Sequence, residues 1–191
     1  LLESKGISMI LCIDPGLNNC GLAICLGGEK LKVLETHNIK NSRKFSDEEK
    51  TLEAFYNARV VKITAIVKTV AEFLDKYPEI DQAAIEAPFY HASTPMAYSS
   101  LLEVVSAIRY KVLIPRGIKV HMVEPMLVKK LFIRAKMTRG MTGKDYMKKF
   151  LIEHIQSGDI LLDKEVDELS EHEIDAIGVG FTSERIHKEN L

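Results

Sequence analysis

The residue with the clearest capacity for chemistry stands at the end of a short apolar run. Residues 9–24, MILCIDPGLNNCGLAI, predict a buried hairpin whose first strand ends in Asp14, directly before the turn signal Pro15-Gly16. A half-buried carboxylate costs on the order of several kcal/mol unless a positive group meets it. From this segment alone two interpretations stay open: Asp14 caps the turn by accepting from the backbone of Gly16 and Asn18, or it belongs to a functional site.

Three further residues could join Asp14. Glu86 ends a second predicted strand in IDQAAIEAP, and SEHEIDAIGVGF places His172 and Asp175 three positions apart on one face of a predicted helix. Sites in α/β sheets collect at the carboxyl ends of strands, near the point where the strand order reverses, so we expect these side chains to meet. If His172 is only a surface residue, Glu171 and Glu173 are the alternatives.

This set of side chains points to a class of metal chemistry. Three carboxylates and an imidazole suit Mg²⁺ or Mn²⁺ better than zinc, which prefers Cys and His ligands. Two such cations about 3.5 to 4 Å apart would support an in-line phosphodiester displacement.

The net charge of −1 hides two opposite blocks. Residues 109–149 contain twelve Lys and Arg against two acidic residues, and residues 153–175 contain nine acidic residues against one lysine. Either block alone is usually a solvated helix face. Side by side, they suit a metal-dependent enzyme that acts on a polyanion, because lysines hold phosphates while carboxylates hold cations.

The predicted elements give an α/β fold. Three strands form an antiparallel start, and two further strands continue the sheet in parallel, with helices between and after them. Ser46 and Glu49 form a capping box that starts one long amphipathic helix reaching Asp75. A second helix has Thr94 as N-cap and runs from Pro95 to Leu113. The remaining helices are predicted over 125–133, over 144–155 and from about Glu171.

Length and composition favour one domain. A chain of 191 residues with 46% apolar content builds one well-buried core, which we place at 9–185, and residues 1–8 are expected to be an extension or a cloning remnant. No apolar stretch approaches a membrane span, and no signal-peptide pattern is present, so a cytoplasmic location is expected. Cys12, Cys20 and Cys25 lack metal-site spacing and are interpreted as reduced core thiols.

Three segments together resemble one protein family. CIDPGLNNCGLAI, AAIEAPF and HEIDAIGVG are similar to the catalytic segments of the RuvC-type Holliday junction resolvases, which have an RNase H-like fold, and the resemblance extends from Met9 to about Thr182. It implies a five-stranded mixed sheet with helices on both faces. It also implies a Mg²⁺-dependent endonuclease that resolves four-way DNA junctions by paired symmetric nicks, with two ions per site, Mn²⁺ as a substitute, and a homodimer. Bacterial and bacteriophage sources are both compatible.

The resemblance also assigns residues. Asp14, Glu86, His172 and Asp175 fall on the family's metal-binding positions, and the helix Pro95 to Leu113 matches its dimerisation helix. The aromatic Phe89, three residues after Glu86, matches a side chain that stacks on an unpaired base. The basic segment 123–150 is similar to the family's phosphate-contacting stretch. The implied DNA-binding residues are Phe89, Lys129, Lys130, Arg139 and Lys144.

Three other functions remain as alternatives. DPGLNNCGLA also resembles the first phosphate loop of actin- and hexokinase-like ATPases, although such proteins need a second domain and a later glycine-rich adenosine loop. An RNase H-like processor of RNA, of the YqgF type, would use the same carboxylates. A DNA-binding scaffold without catalysis would keep only the basic face.

Overall fold

A computed structural model of the chain describes residues 8–41, 44–90, 92–93, 95–133 and 143–189, with the side chains of 143, 144 and 189 left out of that description. The strands are β1 (Met9–Asp14), β2 (Asn19–Leu26), β3 (Leu31–Lys40), β4 (Gln82–Glu86), β5 (Lys119–Val123) and β6 (Ile160–Leu162). The helices are α1 (Asp47–Tyr56), α2 (Ala58–Lys76), α3 (Pro95–Ile108), α4 (Pro125–Leu131), α5 (Gly143–Gln156) and α6 (Glu171–Glu189).

The strands form one mixed sheet in the order β5-β4-β1-β2-β3-β6. β1, β2 and β3 are antiparallel neighbours, while β4 pairs parallel to β1 and β5 pairs parallel to β4. This arrangement confirms the predicted α/β class and the antiparallel start with a parallel continuation. The sheet has six strands rather than the five predicted, because Ile160–Leu162 pairs parallel to the first residues of β3. The segment lies between the predicted helix 144–155 and the one from about Glu171, where no strand was predicted from the sequence.

Helices cover both faces of the sheet. On one face α2 and α3 bury Ile66, Val70 and Val105 against inward side chains of β1 and β2 such as Ile13 and Leu22. On the other face α4, α5 and α6 bury a second apolar cluster that includes Phe132, Leu151 and Ile177. The continuous apolar runs of β1 and β4 follow from this burial on both sides.

The predicted long helix is two helices. The predicted capping box is present, since the Glu49 amide donates to Ser46 Oγ over 3.2 Å and the Ser46 amide donates to Glu49 Oε2 over 2.8 Å. The helix then ends at Tyr56, because Asn57 adopts a positive φ of 82° and its Oδ1 accepts from the amides of Arg59 and Val60 at the start of α2. With a ψ of 163° this backbone conformation is rare for any residue except glycine, so the cap hydrogen bonds of Asn57 hold a strained turn between the two helices.

The other predicted helices are confirmed with small changes at their ends. α3 continues through a π-helical turn, Arg109–Leu113, and a 3₁₀ turn, Ile114–Arg116, before Gly117 ends the segment in a left-handed conformation. The predicted N-cap Thr94 and most of the loop 134–143 lie outside the described residues. Within the described ranges, no helix is long and apolar enough to cross a membrane.

α6 lies unusually close to the sheet because it carries glycine where it crosses β1. A Cβ added to Gly180 would lie 2.4 Å from Cys12 Sγ, a distance that real Cβ atoms do not reach. Cys12, Cys20 and Cys25 are all buried and unbridged, in agreement with their interpretation as core thiols.

Candidate metal centre

Strand register places two of the four predicted ligands side by side. Asp14 is the last residue of β1 and pairs with Gly21 on β2. On its other side, Ile13 pairs with Ile85 of the parallel strand β4, so Glu86 follows at the level of Asp14. Both carboxylates therefore stand at the carboxyl ends of neighbouring strands, as predicted.

The first turn of α6 brings His172 to the same edge. Ser170 caps this helix, because its Oγ and its amide both lie within hydrogen-bond distance of Glu173 Oε2, at 2.7 and 2.9 Å. Glu173 Oε1 also accepts from Thr36 Oγ1 on β3 over 2.7 Å. Glu173 thus anchors α6 to the sheet, and this structural task argues against it as the alternative metal ligand.

A glycine opposite Asp14 gives α6 the room for this position. A Cβ added to Gly21 would lie 1.8 Å from the His172 carbonyl oxygen, so only glycine lets the helix start directly above β2. Gly21 was not among the site residues predicted from the sequence. The signal was a glycine inside an apolar strand pattern, which often marks close approach of another backbone.

Three of the four predicted ligands form a compact group. Asp14, His172 and Asp175 each offer one ligand atom, and these atoms all lie within 4.8 Å of one another. His172 Nδ1 lies 2.7 Å from Asp14 Oδ2. The spacing of three between His172 and Asp175 on α6 therefore does put both side chains toward Asp14. Glu86 is outside this group.

The charges in the group are strongly coupled. Burial raises the pKa of Asp14, and its hydrogen bond with His172 opposes that rise. The same hydrogen bond raises the pKa of His172, against the effect of burial. Burial, followed by the nearby charges of Asp14 and Asp175, raises the pKa of Glu86 to about 8. The charges of Asp14 and Asp175 therefore affect the pKa of Glu86 even though Glu86 lies outside the compact group.

This donor set fits a divalent cation. Two carboxylates and an imidazole supply oxygen and nitrogen ligands that Mg²⁺ and Mn²⁺ accept. The third carboxylate, Glu86, has its pKa raised to about 8 by burial and then by repulsion from Asp14 and Asp175, which favours its protonated form at neutral pH. A bound cation would relieve this repulsion.

The predicted DNA-contacting residues lie around this edge where they are described. Phe89 follows β4 and is 57% exposed. Lys129 and Lys130 are exposed in the last turn of α4, and the charge of Lys129 acts on Glu86 to lower its pKa. Arg139 and the side chain of Lys144 lie outside the described residues, so their predicted roles stay predictions.

Comparisons with known proteins identify the fold. The sequence matches no model of a known protein family and no curated protein. Among solved structures, RuvC of Thermus thermophilus aligns with a TM-score of 0.67 at 18% identity, over 95% of this chain and 96% of that one. The same protein was also solved in complex with a Holliday junction substrate, and that structure aligns with a TM-score of 0.65.

Two other structures extend the comparison. The yeast mitochondrial Holliday junction resolvase Ydc2 aligns with a TM-score of 0.61 at 13% identity, over 99% of this chain and 86% of that one. The Mn-soaked nuclease domain of the human cytomegalovirus terminase aligns with a TM-score of 0.53 at 13% identity, over 97% and 88%. The chain therefore has the RNase H-like fold that its sequence segments predicted.

Proposed function

We propose that this chain is a structure-selective endonuclease that resolves four-way DNA junctions by paired symmetric nicks. The single observation that carries the proposal is the group of Asp14, His172 and Asp175 beside Glu86, at the strand ends of an RNase H-like sheet. The substrate is carried over from the structural neighbours, which are described as a RuvC bound to a Holliday junction and a Holliday junction resolvase.

Each residue of the group has a role in this reaction. Asp14, His172 and Asp175 would hold one cation, and Glu86 would share a second one with Asp14. When bound, two Mg²⁺ ions would lower the pKa of the attacking water and stabilise the leaving 3′ oxygen. Mn²⁺ would substitute, since it accepts the nitrogen of His172 at least as readily.

The surface around the group would hold the DNA. Lys129 and Lys130 would contact backbone phosphates, and the exposed ring of Phe89 would stack on a base left unpaired at the crossover. Arg139 and Lys144 are proposed to extend this contact.

A homodimer would supply the second active site. The segment from α3 to the following turns exposes large apolar side chains, which a monomer gains nothing by leaving in water. These are Met96, Leu102, Tyr110 and Ile114. Two sites related by a two-fold axis would nick two equivalent strands of a four-way junction, leaving ends that a ligase can seal.

A comparison of substrates tests the proposal. Nicking of a synthetic four-way DNA junction, a linear DNA duplex and an RNA duplex is measured with Mg²⁺ and with EDTA. We expect metal-dependent nicking of the junction in two symmetric strands and little nicking of the linear duplex. Preference for RNA would favour an RNA-processing nuclease. ATP hydrolysis without nicking would favour the ATPase, and junction binding without nicking would favour the scaffold.

A further inference from the structure

Hydrogen bonds connect the loop that follows Asp14 to Asn41, directly after β3, and through Asn41 to α2. Asn41, which is 5% exposed, donates its amide N–H to the Asn18 carbonyl over 2.8 Å and its Nδ2 to the Leu17 carbonyl over 3.0 Å. Asn41 Nδ2 also lies 3.2 Å from the Lys62 carbonyl in the first turns of α2. The residue after β3 therefore connects the loop that follows Asp14 to the start of α2.

Two lysines lie beside this loop. Lys62 Nζ donates to Asn18 Oδ1 over 2.6 Å. Lys40, the last residue of β3, is exposed and pairs across the sheet with Asn19, the first residue of β2. The Lys62 ammonium group therefore contacts the segment that connects Asp14 to β2, and Lys40 occupies the strand position beside the end of that segment.

Neither lysine is neutralised within the part of the chain that the structure describes. No described carboxylate lies within 4.0 Å of Lys40 or Lys62. The other lysines of α2 do have such partners: Lys68 pairs with Glu72 and Lys76 pairs with Glu35. Two lysines beside one short loop, neither of them in an ion pair, create a positive potential that favours an anion.

The strand order places Lys40 on the opposite side of Asp14 from the basic helix α4. In the order β5-β4-β1-β2-β3, Glu86 and the helix after β5 lie on one side of Asp14, and Lys40 lies on the other side. Lys129 is near enough to Glu86 to affect its pKa. Cationic side chains therefore flank Asp14 on both sides, as a continuous polyanionic strand crossing the metal group would require.

We propose that Lys40 and Lys62, with Asn18, bind the backbone phosphates of the cleaved strand on the β3 side of the scissile phosphate. Lys129 and Lys130 hold the same strand on the other side. The inference rests on the proposed nuclease function. Because phosphate contacts position a strand without reading its sequence, these lysines set where the scissile phosphate sits and leave base preference unchanged.

The salt dependence of junction binding tests the contact. Binding of a fluorescent four-way junction is measured in EDTA over a range of salt concentrations. For Lys40→Gln plus Lys62→Gln we expect weaker binding and a decrease of about 1.4 to 1.8 in the slope of log affinity against log salt, since each contact contributes roughly 0.7 to 0.9. The control is Lys32→Gln, an exposed lysine near the other end of β3, which should leave the slope unchanged.

Neutral phosphates locate the contact. Junctions carrying one methylphosphonate at successive positions on either side of the mapped nick are cleaved with Mg²⁺ under single-turnover conditions. We expect a position on one side where the neutral phosphate slows the parent protein and the Lys32→Gln control but not the double variant. Neutral phosphates on the other side should slow all three proteins. Lys40→Arg plus Lys62→Arg should restore the sensitivity, which separates loss of charge from loss of folding.

The outcomes distinguish this inference from the proposed function. If the parent cleaves the junction but the double variant keeps its salt slope and its sensitivity at every position, the inference is wrong and the nuclease proposal stands. If the parent neither binds nor cleaves the junction, the proposed function is wrong and the inference falls with it.

Discussion

At the scale of single residues, the most informative contact is the one between Asp14 and His172. Asp14 is 8% exposed, and its Oδ2 lies 2.7 Å from the Nδ1 nitrogen of the His172 imidazole. Without a cation, this pair stabilises the protonated imidazole, since the hydrogen bond raises the pKa of His172. A cation held by Asp14 and His172, as we propose, would replace that proton between the two side chains.

Metal affinity therefore tests whether His172 is a ligand. We expect His172→Ala to weaken Mn²⁺ binding by about tenfold or more, in line with what the loss of even a supporting contact costs a metal site. His172→Asp should retain substantial Mg²⁺ binding, because Mg²⁺ accepts carboxylate oxygen. Isothermal titration calorimetry with each metal measures both. The control is His187→Ala, near the other end of α6. Equal affinity of His172→Ala and the parent would remove His172 from the site and make Glu171 the next candidate.

At the scale of elements, the compact group of Asp14, His172 and Asp175 depends on how closely α6 packs against the sheet. The capping contacts of Ser170 and Glu173 fix where the helix begins, and the bond from Thr36 fixes it to β3. Gly21 then leaves space for the His172 carbonyl. Together, the helix cap, the bond from Thr36 and the space above Gly21 bring His172 and Asp175 of α6 to Asp14.

Gly21→Ala should separate the helix from the sheet. Its Cβ has no space, so α6 must shift, and overpacking of this kind costs about 1 to 3 kcal/mol of stability. We expect a lower melting temperature and weaker Mn²⁺ binding, measured by thermal unfolding with and without the metal. Gly28→Ala is the matched control, because its Cβ would lie 3.7 Å from the nearest atom. A Gly21→Ala protein that melts and binds metal like Gly28→Ala would contradict the close approach.

Asp159, directly before β6, connects α5 and α6 through its hydrogen bonds. Its carboxylate lies 3.3 Å from His154 Nδ1 on α5, and it accepts from Ser157 Oγ over 3.1 Å and from Arg185 Nη2 of α6 over 3.0 Å. Burial alone would raise the pKa of Asp159, but the hydrogen bonds from His154 and Ser157 and the charge of Arg185 lower it below its usual value of 3.8. The charged form is therefore favoured by folding.

This lowered pKa gives a pH-dependent contribution to stability. A carboxyl group whose pKa falls on folding stabilises the protein above its unfolded pKa, and the effect is lost as the pH falls through the folded value. We expect Asp159→Asn to lower the free energy of unfolding by about 0.5 to 1 kcal/mol at pH 7, a figure limited by partial solvent exposure. The difference should shrink as the pH falls below about 4 and vanish once the pH is below the lowered pKa of folded Asp159.

Urea unfolding of parent and variant at several pH values measures this effect. Asp163→Asn, an exposed aspartate in the loop after β6, serves as the control and should behave like the parent. A difference between Asp159→Asn and the parent that stays constant down to pH 3 would show that the charge of Asp159 has no part in it.

At the scale of the whole molecule, the exposed apolar residues of α3 and the following turns predict the oligomeric state. We expect Leu102→Lys plus Tyr110→Lys to convert a dimer into a monomer, because burying two added charges in an interface is unfavourable. Light scattering at micromolar concentration measures the mass with and without junction DNA. Ile152→Lys, a partly exposed apolar residue on α5, should leave the mass unchanged. A parent protein that is monomeric under both conditions would contradict the dimer.

The whole sheet also shows how far the sequence could be interpreted. β1, β4 and the start of α6 were predictable because apolar runs, turn residues and a spacing of three mark them directly. β6 was not, since three residues carry no periodicity and Ile160–Leu162 is a strand only through its pairing with β3. The helix break at Asn57 was also missed, because apolar periodicity continues across it and a positive φ leaves no mark in that pattern.

The candidate site was predictable to a similar degree. Asp14, Glu86, His172 and Asp175 were named from their places in the elements, and the structure brings three of them within 4.8 Å of one another. Whether Glu86 binds a cation with them depends on side-chain distances that element order alone does not determine. Lys40 and Lys62 were not predicted because they are 22 positions apart in the sequence, and only the Lys62–Asn18 hydrogen bond and the pairing of Lys40 with Asn19 place both beside the loop after Asp14.

In the proposed reaction the carboxylates perform the chemistry while a separate basic surface binds DNA, and one pair of measurements separates these two roles. For Asp14→Asn, Asp175→Asn and the control Asp163→Asn, single-turnover cleavage of a four-way junction with Mg²⁺ is measured together with junction affinity in EDTA. We predict that the first two variants lose cleavage by orders of magnitude and keep or increase their affinity, while the control cleaves like the parent. Cleavage at the parent rate in Asp14→Asn or Asp175→Asn, or loss of binding together with cleavage in a folded variant, would contradict it.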